Sequence, residues 1–262
     1  MSRHRPRKRF GQHFLTDSGV IDAIVNAIAP CESDIVVEIG PGPGAITLPI
    51  ASRCAHLHAI ELDRDLAARL QTRFAGNDCV TIHEADALTF DFSQLGTALR
   101  VIGNLPYNIS TPLLFHLLEQ REVVADMHFM LQKEVVARMA AAPGSKAFGR
   151  LTIMLGCHLE VEALFDVDRN AFDPPPEVTS TIARLRPLPA GSMRIVDSQL
   201  LSELVAAAFS QRRKTLRNAL RKHATEKDLQ SLDIDPGLRP ENVAISDWVS
   251  LANHLAEKAH RQ

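Results

Sequence analysis

Two groups of residues have the types and spacing of a reactive site. The first is Glu38-Ile-Gly-Pro-Gly-Pro-Gly44, followed along the chain by Glu61 and Asp86, and the second is Asn104-Leu105-Pro106-Tyr107. Glycines at 40, 42 and 44 let the backbone turn sharply and approach a ligand with no Cβ in the way. Glu61 follows at the distance where a carboxylate accepts from a ribose diol, and Asp86 can accept from an adenine amine. The side-chain oxygen of Asn104 and the carbonyl of Leu105 can hold the two N–H groups of an exocyclic amine. Such an amine is a weak nucleophile, because its lone pair is delocalised into the ring. Acceptors that favour a tetrahedral nitrogen would therefore promote its alkylation. Pro106 has no N–H and a restricted φ, which steadies that carbonyl. Tyr107 can stack on a base taken out of its helix.

The glycine loop by itself fits NAD as well as S-adenosylmethionine. Its E-x-G-x-G-x-G spacing differs from G-x-G-x-x-G, and Pro41 and Pro43 stiffen it. S-adenosylmethionine has no phosphate for a helix N-terminus to bind, so this loop suits it better. The candidate cofactor set is completed by Leu62 and Ala87, each beside one of the acids. In Phe172-Asp-Pro-Pro-Pro176-Glu-Val178, three prolines force a rigid extended segment. That segment is expected to hold Phe172 out of the core, as a second wall facing Tyr107.

These residues need a scaffold that brings strand ends together. Thr16 or Asp17 can cap a helix running through Val20, Ile21, Ile24, Val25 and Ile28 to Pro30. Strands are expected at 35–39, 56–61, 80–84, about 99–103 and 125–131, with helices at about 45–53, 63–74 and 111–121. Such alternation implies an α/β fold with a mostly parallel sheet, whose ligands bind at the carboxyl ends of the strands. Each motif falls at one of those ends. Segments 161–167 and 178–188 read as a late hairpin, 141–149 as a loop and 187–192 as a linker. Beyond the linker, 197–258 shows only helical periodicity, for example Leu200, Leu201, Leu204, Val205, Ala208 and Phe209.

A chain of 262 residues, 45% hydrophobic and 23% charged, suffices for one large domain and a smaller appendage. With no long apolar run and no apolar stretch after its basic N-terminus, neither a membrane span nor a signal peptide is expected, and a cytoplasmic location is. The four cysteines form no C-x-x-C pair and the eleven histidines have no ligand spacing, so no disulfide framework and no metal are expected. Net charge is only -2, but cations are clustered. Arg3, Arg5, Arg7, Lys8 and Arg9 form one group. Arg212, Arg213, Lys214, Arg217, Arg221 and Lys222 form another, mostly at three- or four-residue steps that place several on one helical face, and the two groups read as an electrostatic footprint for a polyanion.

GQHFL (11–15), EIGPGPG (38–44), Glu61, Asp86, NLPYNIS (104–110), FDPPPEV (172–178) and QRRKTLRNAL (211–220) occur in that order. In this combination the chain resembles the rRNA adenine N6,N6-dimethyltransferases, in their small-subunit branch, over essentially its whole length. The resemblance implies a Rossmann-like class I methyltransferase domain over 1–188, with a basic arm at 1–10, and a helical RNA-binding domain over 189–262. It implies S-adenosylmethionine as cofactor, and dimethylation of two adjacent adenosines in a hairpin near the 3′ end of 16S rRNA. The substrate would be a pre-30S assembly intermediate; a monomer is expected. Cofactor contacts carry over to His13, Leu15, Gly40, Glu61, Asp86 and Asn104, and the target-base pocket to Asn104, Leu105, Tyr107 and Phe172. Two positions depart from the pattern: His13 stands where many relatives have Asn, and Glu177 where Lys is common.

Three other readings compete. A macrolide-resistance methyltransferase would modify large-subunit rRNA; Gly11-Gln12, Leu105 and the basic QRRKTLRNAL segment argue against it. A non-catalytic assembly factor would not need an intact glycine loop and NLPY. An NAD-dependent oxidoreductase would need a catalytic His or Tyr-Lys arrangement, and none is evident.

Overall fold

A computed structural model describes residues 12–106 and 109–260. Arg7, Lys8, Arg9 and Tyr107, expected at the RNA and base sites, lie outside the described residues. The chain divides into two compact units, one of 1–136 with 162–187 and one of 137–161 with 188–262.

The first unit is built on a seven-stranded sheet. Its parallel strands are β2 (Ile35–Ile39), β3 (His56–Glu61), β4 (Val80–Glu84), β5 (Leu99–Asn104) and β6 (Val124–Gln132), with β4 at one edge; β2 pairs with β3 and β5, β3 with β4, and β5 with β6. β9 (Ser180–Pro187) runs antiparallel to β6, and β7 (Leu159–Val167) lies beyond it, so the late hairpin closes one edge. β2, β5 and β6 are mostly buried because helices cover a parallel sheet on both faces, whereas the edge strand β4 is only partly buried. Helix α1 (Ser18–Ile28) turns Ile24, Val25 and Ile28 inward, onto Val36, Leu57 and Ile102 of the sheet. Asp17 caps it by accepting from the Val20 N–H at 3.0 Å. Ala29, left-handed at φ 46, ends it one residue before Pro30. Helix α2 is shorter than expected, Thr47–Ala51, and α3 (Arg64–Arg73) and α4 (Ser110–Glu119) complete the crossovers.

Two strands had no sequence signal. β1 (Phe14–Leu15) pairs antiparallel with β8 (Phe172–Asp173), at two residues each too short for any periodicity. This pairing corrects the reading of Phe172. Its ring is 4% exposed and packs in the core with Leu15, Ile24 and Ile182 rather than standing out as a wall. The prolines keep the segment extended, and an extended segment beside a free strand pairs with it.

The second unit has its own core, formed by Phe148, Ile153 and Cys157 with residues of α7 (Ser198–Ser210), α8 (Leu216–Ala219) and α10 (Ile245–His260), around a fully buried Trp248. Segment 137–161 therefore joins the helical unit, although its sequence place lies before the last strands. The helix α6 (Arg150–Gly156), which follows α5 (Lys133–Met139), carries an apolar face, and local pattern cannot say which core that face joins. Between α9 (Glu226–Gln230) and α10, Asp228 is a polar anchor: Lys258 Nζ donates to it at 2.7 Å, Thr225 Oγ1 at 2.6 Å, and His254 lies at 3.2 Å. Burial would raise its pKa, but these partners outweigh it and hold the carboxyl well below the usual range. A depressed native pKa stabilises above the unfolded value near 4, and that contribution is lost as pH falls through the native one. Asp228→Asn should cost about 2 kcal/mol at pH 7, and that cost should shrink only as pH falls below about 4 toward the depressed native value, checked by denaturant melts across that range.

Candidate active site

The carboxyl ends of β2, β3, β4 and β5 open into one pocket, as parallel sheets dictate. Its lining includes His13, Leu15, Glu38, Gly40, Gly42, Glu61, Leu62, Asp86, Ala87, Asn104, Leu105 and Pro106. Of the described residues singled out for cofactor or base, Gly44 and Phe172 are not part of it. Gly44, at φ +90, is a packing glycine, since an added Cβ would lie 3.0 Å from Leu70 Cδ2. Gly40 and Gly42 also have positive φ, +66 and +57, and a Cβ on Gly42 would press on the Phe14 ring at 3.2 Å.

Glu61 does more than await a ligand. Its Oε2 accepts from the Gly42 N–H at 3.1 Å and its Oε1 from the Asp63 N–H at 2.8 Å. It thereby ties the glycine loop to the end of β3, while each oxygen keeps a second lone pair. Burial pushes its pKa up, against the backbone donors that pull it down. Arg73 adds a further tie by donating to the Pro43 carbonyl at 3.2 Å. Asp86 accepts from the Leu88 N–H at 2.9 Å, which fixes its carboxylate at the pocket edge.

Glu38 is 2% exposed, and its Oε2 has no hydrogen-bond partner. Burial pushes this carboxyl up to about 7; the nearby Thr47 hydroxyl, which completes no full hydrogen bond, opposes the shift, and the charge of Glu61 adds to it. An orphaned buried carboxylate is costly unless something polar or cationic meets it. Among the described lining residues there are three carboxylates and neither Lys nor Arg. That set of acceptors fits a ligand carrying positive charge and a nucleoside, and it is hostile to a pyrophosphate. S-adenosylmethionine fits; a dinucleotide does not.

Asn104 ends β5, and its Nδ2 donates to the His13 carbonyl at 3.0 Å. A carbonyl can only accept, so the carboxamide is oriented and Oδ1 is the branch left to accept. Leu105 N–H is held by the Met130 carbonyl at 3.2 Å. The Pro106 carbonyl accepts from the Ile109 N–H at 3.1 Å, and among the described residues no backbone N–H is bonded to the Leu105 carbonyl.

Sequence reasoning missed Gly103, the residue before Asn104. An added Cβ there would lie 2.6 Å from the Ile39 carbonyl oxygen. A lone glycine inside an apolar strand is the available signal for such a close approach. Gln12 and Phe14, which also line the pocket, were likewise not singled out.

The basic segment 211–222 is not one helix face. Residues 211–214 form a turn and α8 spans only Leu216–Ala219. Arg212 is committed within its own unit: it donates to the carbonyls of Lys146 at 2.7 Å and Phe148 at 3.0 Å and lies 3.7 Å from Glu241. It is corrected from RNA contact to structural tie. Arg217 lies 3.8 Å from Glu226, while Arg213, Lys214, Arg221 and Lys222 are exposed.

A parallel sheet with a glycine loop, an acid at each following strand end and Asn-Leu-Pro at the fourth defines an S-adenosylmethionine-dependent methyltransferase acting on an amine. The family model described as ribosomal RNA adenine dimethylase matches residues 3–257, and the chain belongs to that family. It is 56% identical over 261 residues to the ribosomal RNA small subunit methyltransferase A of Aromatoleum aromaticum, covering 100% of this chain and 98% of that one. The protein of the same name from Chromobacterium violaceum is 53% identical, with both chains fully covered. Among solved structures, a dimethyladenosine transferase from Plasmodium falciparum matches with TM-score 0.83 and 26% identity, covering 94% of this chain and 98% of that one. The 23S rRNA methyltransferase ErmE matches with TM-score 0.74 and 25% identity, covering 93% and 99%. The chain is thus a methyltransferase of small-subunit rRNA adenines, with S-adenosylmethionine as its methyl donor. The likeness to the large-subunit enzyme is a likeness of fold at less than half the identity found with the small-subunit relatives.

A pH dependence follows from Glu38. A carboxyl raised to about 7 binds more protons in the native state than in the unfolded state between pH 4.5 and 7. Stability without ligand should therefore fall as pH rises through that window and level off above it. A cationic donor favours the ionised form, so its affinity should rise about tenfold between pH 6 and 8. The charge that acts on Glu38, that of Glu61, is also acidic and works in the same direction. Calorimetric titration of the wild type and Glu38→Gln checks this; a wild-type affinity as flat as that of the variant would refute it.

Proposed function

We propose that this chain dimethylates N6 of two adjacent adenosines in the 3′-terminal hairpin of 16S rRNA, within an assembling small subunit, as a cytoplasmic monomer. The carrying observation is that Asn104 and Leu105 share a pocket with Gly40, Glu61 and Asp86, with the Asn104 amide already oriented by the His13 carbonyl. Bound S-adenosylmethionine supplies a methyl group activated by its sulfonium.

The chain's own residues do the rest by position and electrostatics. Glu38 meets the cationic part of the donor, Glu61 the ribose and Asp86 the adenine amine. Gly40 and Gly42 let the backbone come close, and Leu62, 51% exposed, and Ala87 flank the adenine with apolar surface. Asn104 Oδ1 and the Leu105 carbonyl accept the two N–H groups of the target amine and draw its lone pair toward the methyl group. The nitrogen becomes acidic on alkylation and releases its proton to water, so no base of unusual pKa is required. Tyr107 stacks on the extruded base. Among the described residues no helix is long and apolar enough to cross a membrane, which agrees with action on ribosomal particles.

RNA contact falls to Arg213, Lys214, Arg221 and Lys222, with Arg217 in part and with Arg7, Lys8 and Arg9 of the N-terminal arm. Replacing Arg213, Lys214 and Arg221 together by Ala should lower the slope of log affinity against log salt by about 2 to 3, with donor affinity unchanged. Filter binding of small subunits across a salt series measures it, and an unaltered slope would count against a phosphate role.

The test of the whole reading is transfer of labelled methyl groups to small subunits lacking the modification, with large subunits and free RNA alongside. Label confined to small subunits, recovered as N6,N6-dimethyladenosine, supports it. Label in large subunits moves the activity to the resistance branch. Tight subunit binding without transfer leaves an assembly factor and sinks the proposal.

A further inference from the structure

Residues 12–15 form a strap along the pocket, and His13 is where it is fastened twice. Its Nδ1 lies 2.8 Å from the Pro174 carbonyl in the proline-rich segment. Its own carbonyl accepts from Asn104 Nδ2 at 3.0 Å. The Pro174 carbonyl can only accept, so Nδ1 carries the proton, and the bond persists whether or not Nε2 is protonated. Beyond it along the chain, the β1–β8 pairs Phe14↔Asp173 and Leu15↔Phe172 and the Thr16 N–H to Ala171 carbonyl bond of 2.8 Å lock the same two segments.

We propose that His13 is a positioning residue for Asn104: its ring docks the strap on Pro174, and its carbonyl thereby sets the carboxamide that receives the target amine. The imidazole thus acts through Asn104 and not by contact with the methyl donor, as the resemblance had implied. This rests on the reading of Asn104 as the amine acceptor.

Two variants separate the possibilities. His13→Ala removes the ring and keeps the carbonyl, so the strap loses its tie to Pro174 and Asn104 its fixed partner. Asn at this position places a side-chain nitrogen the same number of bonds from the backbone as Nδ1, so His13→Asn can restore the bond to Pro174. Expected for His13→Ala is a fall in single-turnover methyl transfer of about 30-fold, with donor Kd within about threefold of wild type, since a small misplacement of an acceptor costs rate before it costs binding. His13→Asn should recover most of that rate. Amide exchange in the β1–β8 ladder should quicken about tenfold in His13→Ala and return toward wild type in His13→Asn.

A donor affinity that falls in His13→Ala as far as the rate does would make His13 a cofactor contact and overturn the proposal. An unchanged rate, or an unchanged ladder exchange, would overturn it as well. Should the wild type transfer no methyl group, the reading of Asn104 fails by that control. The exchange experiment then still decides whether His13 holds the strap.

Discussion

Asn104→Ala is expected to reduce methyl transfer by about a hundredfold to a thousandfold, while the protein stays folded and binds small subunits. Removing one oriented acceptor at a reacting centre costs on the order of 3 to 4 kcal/mol of transition-state stabilisation. Asn104 sits at the end of β5 with its Nδ2 committed to the His13 carbonyl, so only Oδ1 remains to face the amine. Asn104→Asp is the sharper variant. It keeps an acceptor of the same shape but sets a carboxylate oxygen against the His13 carbonyl, with no donor between them. Its transfer rate should fall nearly as far as that of the alanine variant. A near-normal rate in Asn104→Asp would show that amide orientation is irrelevant, and a normal rate in Asn104→Ala would remove this residue from the chemistry.

Gly103→Ala should be the most damaging single methyl group in the first unit. The added Cβ would meet the Ile39 carbonyl oxygen at 2.6 Å and Leu105 Cδ2 at 3.0 Å. The nearer atom is backbone, in the strand paired in register with Gly103, and cannot rotate aside as a side chain can. To relieve the clash, β2 and β5 must separate just where both deliver site residues, Gly40 and Asn104. A stability loss of about 3 kcal/mol is expected in denaturant melts, together with loss of donor binding. Gly76→Ala makes a suitable comparison for backbone strain, because its φ of +86 is strained while no atom lies within 4 Å of an added Cβ. If Gly103→Ala melts no lower than Gly76→Ala, the close approach of the two strands is not the constraint.

The fold was legible where the sequence repeats a pattern that a local rule can read. IVVEI, HLHAIE and VTIHE became β2, β3 and β4 at the expected residues, because short β-branched runs closed by glycine or acid have few other outcomes. The pocket was legible for the same reason. Once the strands are parallel and ordered, their carboxyl ends converge, and Gly40, Glu61, Asp86 and Asn104 converge with them.

Tertiary structure alone decided the fate of residues whose partners are distant. Phe172 reads as an exposed aromatic beside prolines, yet a strand more than 150 positions earlier pairs with it and draws it into the core. Arg212 reads as one cation of a basic run, yet the loop carbonyls of Lys146 and Phe148 require a donor and claim it. Residues 137–161 precede the last strands, yet Phe148, Ile153 and Cys157 close the core of the helical unit. The sequence by itself determined the element types, the parallel sheet and the chemistry gathered at its strand ends, because these depend on neighbours a few positions away. Which side chains are held inside, which cations are spent on carbonyls and which carboxylate is left without a partner depend on contacts across the chain, and only the folded packing decides them.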